Sequence, residues 1–195
     1  LAVLSQYRPV ALDGYCCLMP QHEAPAVACV VPSPGSAPAA EAEFERVKAH
    51  IDLAAELGIT LMRHDVAHGN FPGDDLPLFE EALPVIVHYC KKIAQYAATK
   101  GITTSIENHG FFVQGSERVR RVIHAVNEPN FGTTLDIGNF LCIDEDPVVG
   151  TKNDLEYATI VHFKDFYIRD QDPGSGFFKS RGGKYLRGAI VGQGD

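Results

Sequence analysis

No stretch of this 195-residue chain approaches the ~20 consecutive apolar residues that cross a bilayer, so no membrane partner is expected. The first residues lack the charged-then-apolar order of a secretory signal. Cysteine is sparse. Cys16, Cys17, Cys29, Cys90 and Cys142 form an odd set without CxxC spacing, and the adjacent Cys16 and Cys17 are awkward disulfide partners. A reducing compartment is the simpler reading, and the chain is expected to be soluble and cytoplasmic. Clustered basic residues are also scarce: the formal net charge is −8, which argues against non-specific nucleic-acid binding, since that needs Lys and Arg massed against phosphates. Arg118, Arg120 and Arg121 read as the solvated face of a helix, whereas Lys179, Arg181, Lys184 and Arg187 fall in a glycine-rich loop without an equally plain explanation. No GxGxxG fingerprint follows any expected strand, which weakens a dinucleotide-binding reading.

What is present suffices for one compact domain. A chain of this length with 45% hydrophobic content buries roughly 70% of its unfolded surface, so residues 1–195 read as a single domain whose first 40 residues are poorly defined. The sequence starts at Leu1 and stops at Asp195 inside an expected loop, so a fragment of a longer protein is expected.

Along the chain, strand-like and helix-like patterns alternate. Ala26 to Val31 is an apolar run ending in prolines and glycine, a buried strand leading into a loop. From Ala40, Phe44, Val47, Ile51 and Ala54 recur at helical steps until Gly58, and a strand follows from Ile59 to Val66. Ile86, Cys90, Ile93 and Ala97 mark one face of a second helix over Leu76 to Thr99, with Pro84 restarting or kinking it. Then come a strand at Ile102 to Glu107, a helix at Ser116 to Val126 capped by Ser116, and a strand at Thr133 to Asp136. A helix near Asp154 to Ala158 and a strand at Thr159 to Lys164 complete the series. This alternation predicts parallel pairing with helices outside, as a doubly wound sheet or a (β/α) barrel. Polar residues at the strand ends favour a TIM-type barrel. A complete one usually has about 250 residues, so this barrel is expected to be incomplete.

Three strand ends carry the chemistry. Glu107 closes the run Ser105-Ile106-Glu107-Asn108-His109-Gly110. Asp136 closes Thr134-Leu135-Asp136 ahead of Ile137-Gly138-Asn139, where Gly138 is expected to let the backbone approach a ligand. His162 lies in Val161-His162-Phe163-Lys164-Asp165, with strand alternation sending His162 and Lys164 to one side. Each alone has an ordinary structural explanation: a capping or salt-bridged glutamate, an aspartate in a turn, a satisfied core histidine. Their separations of 29 and 26 residues equal one strand-plus-helix unit each, which brings all three to one barrel rim. Two carboxylates and an imidazole form the mixed oxygen and nitrogen set that suits a divalent metal ion. Mn²⁺ is the leading candidate, with Mg²⁺, Co²⁺ or Zn²⁺ as alternatives. Arg63-His64-Asp65 ends the preceding strand at the same rim, where His64 is either a substrate contact or a spectator beside an Arg63 to Asp65 ion pair.

The segments IENHG, TLDIGNF and VHFKD, preceded by the LAAELGI helix end, resemble the sugar phosphate isomerase/epimerase family with xylose isomerase-like barrels, over about residues 41 to 195. The resemblance implies that Glu107, Asp136 and His162 coordinate a catalytic divalent ion and that Glu107 is a candidate proton-transfer base. It also implies a fourth ligand, usually a glutamate from the final strand, which this sequence ends too early to include. Asn139 stands where the ketose epimerase branch often carries histidine, and Gly192-Gln193-Gly194-Asp195 is similar to the family's GEG loop with glutamine for glutamate. The expected activity is isomerisation or epimerisation of a small sugar or sugar derivative through an enediolate, with Lys164 and His109 orienting hydroxyls or stabilising the intermediate. The alternatives are a truncated or degenerate, non-catalytic sugar-binding barrel and an endonuclease IV-like phosphodiesterase, the latter disfavoured by the acidic charge and the few visible histidine ligands. Family resemblance adds a homo-oligomer as a possible assembly.

Overall fold

The computed structural model describes residues 11–12, 37–67 and 75–195. The expected strand at Ala26 to Val31 lies outside them. The series opens with β1 (Ala11–Leu12), α1 (Ala37–Glu56), β2 (Leu61–His64) and α2 (Leu76–Ala98). It continues with β3 (Thr103–Glu107), α3 (Ser116–Val126), β4 (Phe131–Asp136), α4 (Pro147–Asp154) and β5 (Ala158–His162). All neighbouring pairs in the sheet β1-β2-β3-β4-β5 are parallel, and spatial order follows chain order without reversal. A doubly wound sheet reverses its order at a switch point, so this monotonic order is that of a barrel wall, with helices on the outer face.

Apolar spacing explains the helices. Phe44, Val47, Ile51 and Ala54 of α1 are buried against Met62 of β2 and against Tyr89, Ile93 and Ala97 of α2. The other flank of α2, with Phe79, Ile86, Cys90 and Ala94, packs on Val119, Val122 and Val126 of α3 and on Ile106 of β3. Pro84 sits inside α2, which runs through it as one helix. None of the described helices is long and apolar enough to cross a membrane.

Two expectations about caps and boundaries change. Ser116 is the first residue of α3 rather than its cap, and Gly115 holds the cap position without a side-chain bond. The Glu145 carboxylate supplies the missing acceptor instead, taking the Ser116 backbone N–H at 2.9 Å as well as its hydroxyl. The helix expected near Asp154 to Ala158 starts earlier, at Pro147, because Asp146 caps it by accepting the N–H groups of Val148 and Val149 at 2.8 and 3.0 Å.

The glycine-rich stretch after β5 is a second small sheet instead of a loop. β6 (Asp165–Arg169) and β7 (Phe178–Lys179) pair antiparallel with β8 (Tyr185–Ala189), in the order β6-β8-β7. Phe166 and Leu186 from it are buried with Cys142, with Phe111 and Leu141 packed alongside. This places an apolar flap beside the carboxyl ends of β3 to β5.

Candidate metal centre

Strand pairing sets which side chains enter the barrel. Arg63 pairs with Ser105, Glu107 with Thr134, and Asp136 with His162. Residues in register share a face. Arg63, Ser105, Glu107, Thr134, Asp136 and His162 therefore point inward, and the Ser105 and Thr134 hydroxyls meet at 2.7 Å beneath the carboxylates. The last pairing depends on a bulge: Thr133 pairs with Ala158 but Thr134 with Ile160, leaving Thr159 as an extra residue in β5. Were Thr159 paired with Thr134 instead of bulged, Val161 would face Asp136 and His162 would turn outward. A side chain on Gly132 would obstruct this bulge, since its Cβ would lie 2.5 Å from the Tyr157 carbonyl and 2.7 Å from the Thr159 methyl.

Glu107, Asp136 and His162 each offer a ligand atom, and these atoms lie within 4.8 Å of one another. Both carboxylates are buried. Glu107 Oε2 is 2.6 Å from Arg63, which also bonds Asp65 at 2.7 Å, and Glu107 Oε1 accepts from Asn139 Nδ2 at 3.1 Å. His162 Nδ1 is 3.5 Å from Glu107 Oε1. Burial, the largest influence, pushes the Glu107 carboxyl above the ordinary carboxylate range; Arg63 opposes it and Asp136 adds to it. Asp136 Oδ1 accepts the N–H groups of Gly138 and Asn139 at 3.0 and 3.1 Å, and its Oδ2 pairs with Lys164 at 2.8 Å. Asn108 fixes the strand end by donating to the Asp136 carbonyl and accepting its N–H, both at 2.8 Å. A pair of buried carboxylates and an imidazole at this spacing fits a divalent ion.

The surrounding cavity, of about 720 Å³, is lined by Arg63, Glu107, His109, Asp136, Asn139, His162 and Lys164 on one side and by Phe111, Phe166 and Phe178 on the other. Of the residues expected at the site, His109, Asn139 and Lys164 thus join the three candidate ligands. Lys164 lies beyond the end of β5 and still reaches Asn139 Oδ1 at 2.8 Å.

His64 requires correction. Alternation along β2 turns it to the helix side with Met62, where it is buried near the Phe131 ring, 6.1 Å between centroids, and it does not line the cavity. Burial holds its imidazole down at about 4, so it is neutral. Its neighbour Arg63 is the β2 residue at the site, a role that strand parity from Glu107 would have indicated. Gly138 also differs from expectation: its Cβ would lie 2.6 Å from the Lys164 carbonyl, so its small size admits the β5 exit instead of a ligand. The Gly192 to Asp195 turn is likewise held internally, with the Gly192 and Gly194 N–H groups donating to Asp165 Oδ2 at 2.9 and 2.8 Å.

Comparison with known proteins adds the following. Residues 19–194 match the family described as the xylose isomerase-like TIM barrel. No curated protein matches the chain. Similar solved structures include a xylose isomerase domain protein from Planctomyces limnophilus, at 19% identity and TM-score 0.62, covering 86% of this chain and 54% of that one. A xylose isomerase-like TIM barrel protein from Mycobacterium smegmatis in complex with magnesium has 19% identity and TM-score 0.61, with 83% and 55% covered. A D-allulose 3-epimerase from Methylomonas sp. in complex with D-allulose has 20% identity and TM-score 0.59, with 71% and 49% covered. The chain spans about half the length of these structures.

Proposed function

Because this chain belongs to the xylose isomerase-like TIM barrel family, we propose that it is the site-bearing part of a metal-dependent sugar isomerase or epimerase. The convergence of Glu107, Asp136 and His162 donor atoms within 4.8 Å carries the reading. The magnesium in the Mycobacterium smegmatis protein and the D-allulose in the Methylomonas epimerase support it. Glu107, Asp136 and His162 would hold a divalent ion, which would supply Lewis acidity to the bound sugar.

The residues divide the remaining work. Glu107 takes the proton from the carbon beside the sugar carbonyl; the C–H electron pair forms the carbon–carbon double bond of an enediolate as the carbonyl oxygen gains charge. Return of that proton by Glu107 to the neighbouring carbon gives the isomer, whereas forming the epimer takes a second acid on the opposite face of the sugar. Burial raises the proton affinity of the Glu107 carboxylate, which suits a base that takes up a proton and later releases it. Arg63, bound to Glu107 and Asp65, holds the carboxylate in place. His109, Asn139 and Lys164 present hydrogen-bonding groups to hydroxyls from the same wall, and Phe111, Phe166 and Phe178 shield the opposite side from water.

Metal analysis after dialysis should find about one divalent ion per chain, falling to background in Asp136→Asn and Glu107→Gln. Equal metal content in all three proteins removes the site. For the reaction, conversion of a ketose in D₂O should place deuterium at the carbon beside the carbonyl; turnover with no exchange at any conversion removes the enediolate step.

A further inference from the structure

The two carboxylates of the candidate centre are matched by two cations that differ in freedom. Arg63 has 3% of its side chain exposed and is bonded to both Asp65 and Glu107. It cannot leave without stranding buried charge on three sides. Lys164 has 38% of its side chain exposed, on a flexible stem with a route to solvent. Its Nζ sits 2.8 Å from Asp136 Oδ2 and donates to Asn139 Oδ1 at 2.8 Å.

The bonding of Asp136 makes this position consequential. Oδ1 is already committed to the backbone N–H groups of Gly138 and Asn139, which fixes the plane of the carboxylate. Oδ2 is then the oxygen available to a metal ion, and it is the one Lys164 occupies. Asn139 links the two halves, donating to Glu107 through Nδ2 while accepting from Lys164 through Oδ1.

Resting on the metal-centre reading above, we propose that Lys164 is an exchangeable counter-cation. It neutralises Asp136 while the centre is empty and gives up Oδ2 when a divalent ion binds. Two buried carboxylates a few ångströms apart repel each other and resist desolvation, so an unfilled centre needs a charge of its own to persist. An ammonium on a mobile stem provides that charge and can withdraw, whereas the buried guanidinium of Arg63 cannot. Withdrawal also releases a cationic donor into the cavity beside the candidate ligands. Lys164 thus becomes available to a sugar oxygen or a developing negative charge only once the centre is filled, which couples loading to substrate recognition.

Two measurements on the purified full chain test this. Mn²⁺ titration followed by electron paramagnetic resonance should show Lys164→Met binding about tenfold more tightly than wild type, since the competing cation is gone. Removing a positive charge raises cation affinity even without exchange, so a second readout decides: acetylation of Lys164 in the wild-type protein, quantified by mass spectrometry. It should accelerate several-fold on Mn²⁺ addition while acetylation of the remote Lys48 stays constant. Acetylation that is unchanged or slower with Mn²⁺ bound, or a variant that binds no more tightly, overturns the exchange and leaves the metal centre standing. If neither protein binds Mn²⁺, the centre itself falls and the exchange with it. The labelling uses wild type, so it holds even where the variant fails to fold.

Discussion

His64 and Asp154 are opposite cases of one effect, since burial penalises whichever form carries charge. Burial lowers His64 to about 4 from an ordinary 6.5, so its share of stability is present above pH 6.5 and is lost as pH falls towards 4. Asp154 closes α4, fully buried, with Arg120 at 3.7 Å and the Glu145 charge nearby. Burial raises it from 3.8 to about 7, against the pull of Arg120, so its share is full below pH 3.8 and is lost as pH rises to about 7. Between pH 4 and 6.5 the two slopes oppose each other. Asp154→Asn removes one slope and should be more stable than wild type at pH 8 by roughly 1 to 3 kcal/mol, with the gain shrinking towards pH 4. Urea unfolding at both pH values checks this, and a variant equally destabilised at both contradicts it. Neither residue was identifiable from local sequence, because the sign and size of each shift depend on what packs around the group. The candidate ligands were legible because each ends an apolar run. Of the two readings of His64, the spectator beside the Arg63 to Asp65 ion pair holds, and Arg63, one residue away along β2, is the side chain that lines the cavity.

Among the elements, the bulge in β5 matters more to the site than any helix. Whether Thr159 is bulged out or paired decides whether His162 or Val161 faces Asp136. Inserting one alanine between Ile160 and Val161 should therefore abolish metal binding while the circular dichroism spectrum keeps its helical content, whereas Thr159→Val, which preserves the residue count, should retain both. An insertion variant that folds and still binds metal would show that the register does not govern the site. Helices α1 to α3 were legible because their apolar residues repeat at helical spacing over several turns. The bulge was not, since an extra strand residue leaves no compositional mark. The start of α4 was also obscured, because Asp144, Glu145 and Asp146 form one acidic run whose members do different jobs. Asp144 accepts the Ser180 hydroxyl at 2.9 Å, Glu145 caps α3 and Asp146 caps α4. The three assignments depend on partners distant in sequence.

The whole molecule is tied together around the buried Asp75 at the start of α2. Arg118 of α3 pairs with it at 2.5 Å and Arg181, between β7 and β8, at 3.2 Å, across separations of 43 and 106 residues. The same arginines donate to the Phe112 and Phe111 carbonyls, so the cluster also fixes the loop after β3 that carries His109. Asp75→Ala strands two guanidinium groups and should cost about 3 to 5 kcal/mol by urea unfolding; a loss below about 1 kcal/mol would reduce the cluster to a surface ion pair. Arg181 thus acquires the explanation that its glycine-rich surroundings did not offer. At this scale the sequence by itself determined the class of fold and the rim position of Glu107, Asp136 and His162, because apolar periodicity and unit length are properties of the chain alone. Only the tertiary structure decided that Arg63 and not His64 enters the barrel, that the last segment forms an antiparallel flap, and that Lys164 sits on Asp136. Each of those outcomes depends on strand register and on partners tens of residues away, and such distances carry no signal in any local stretch of sequence.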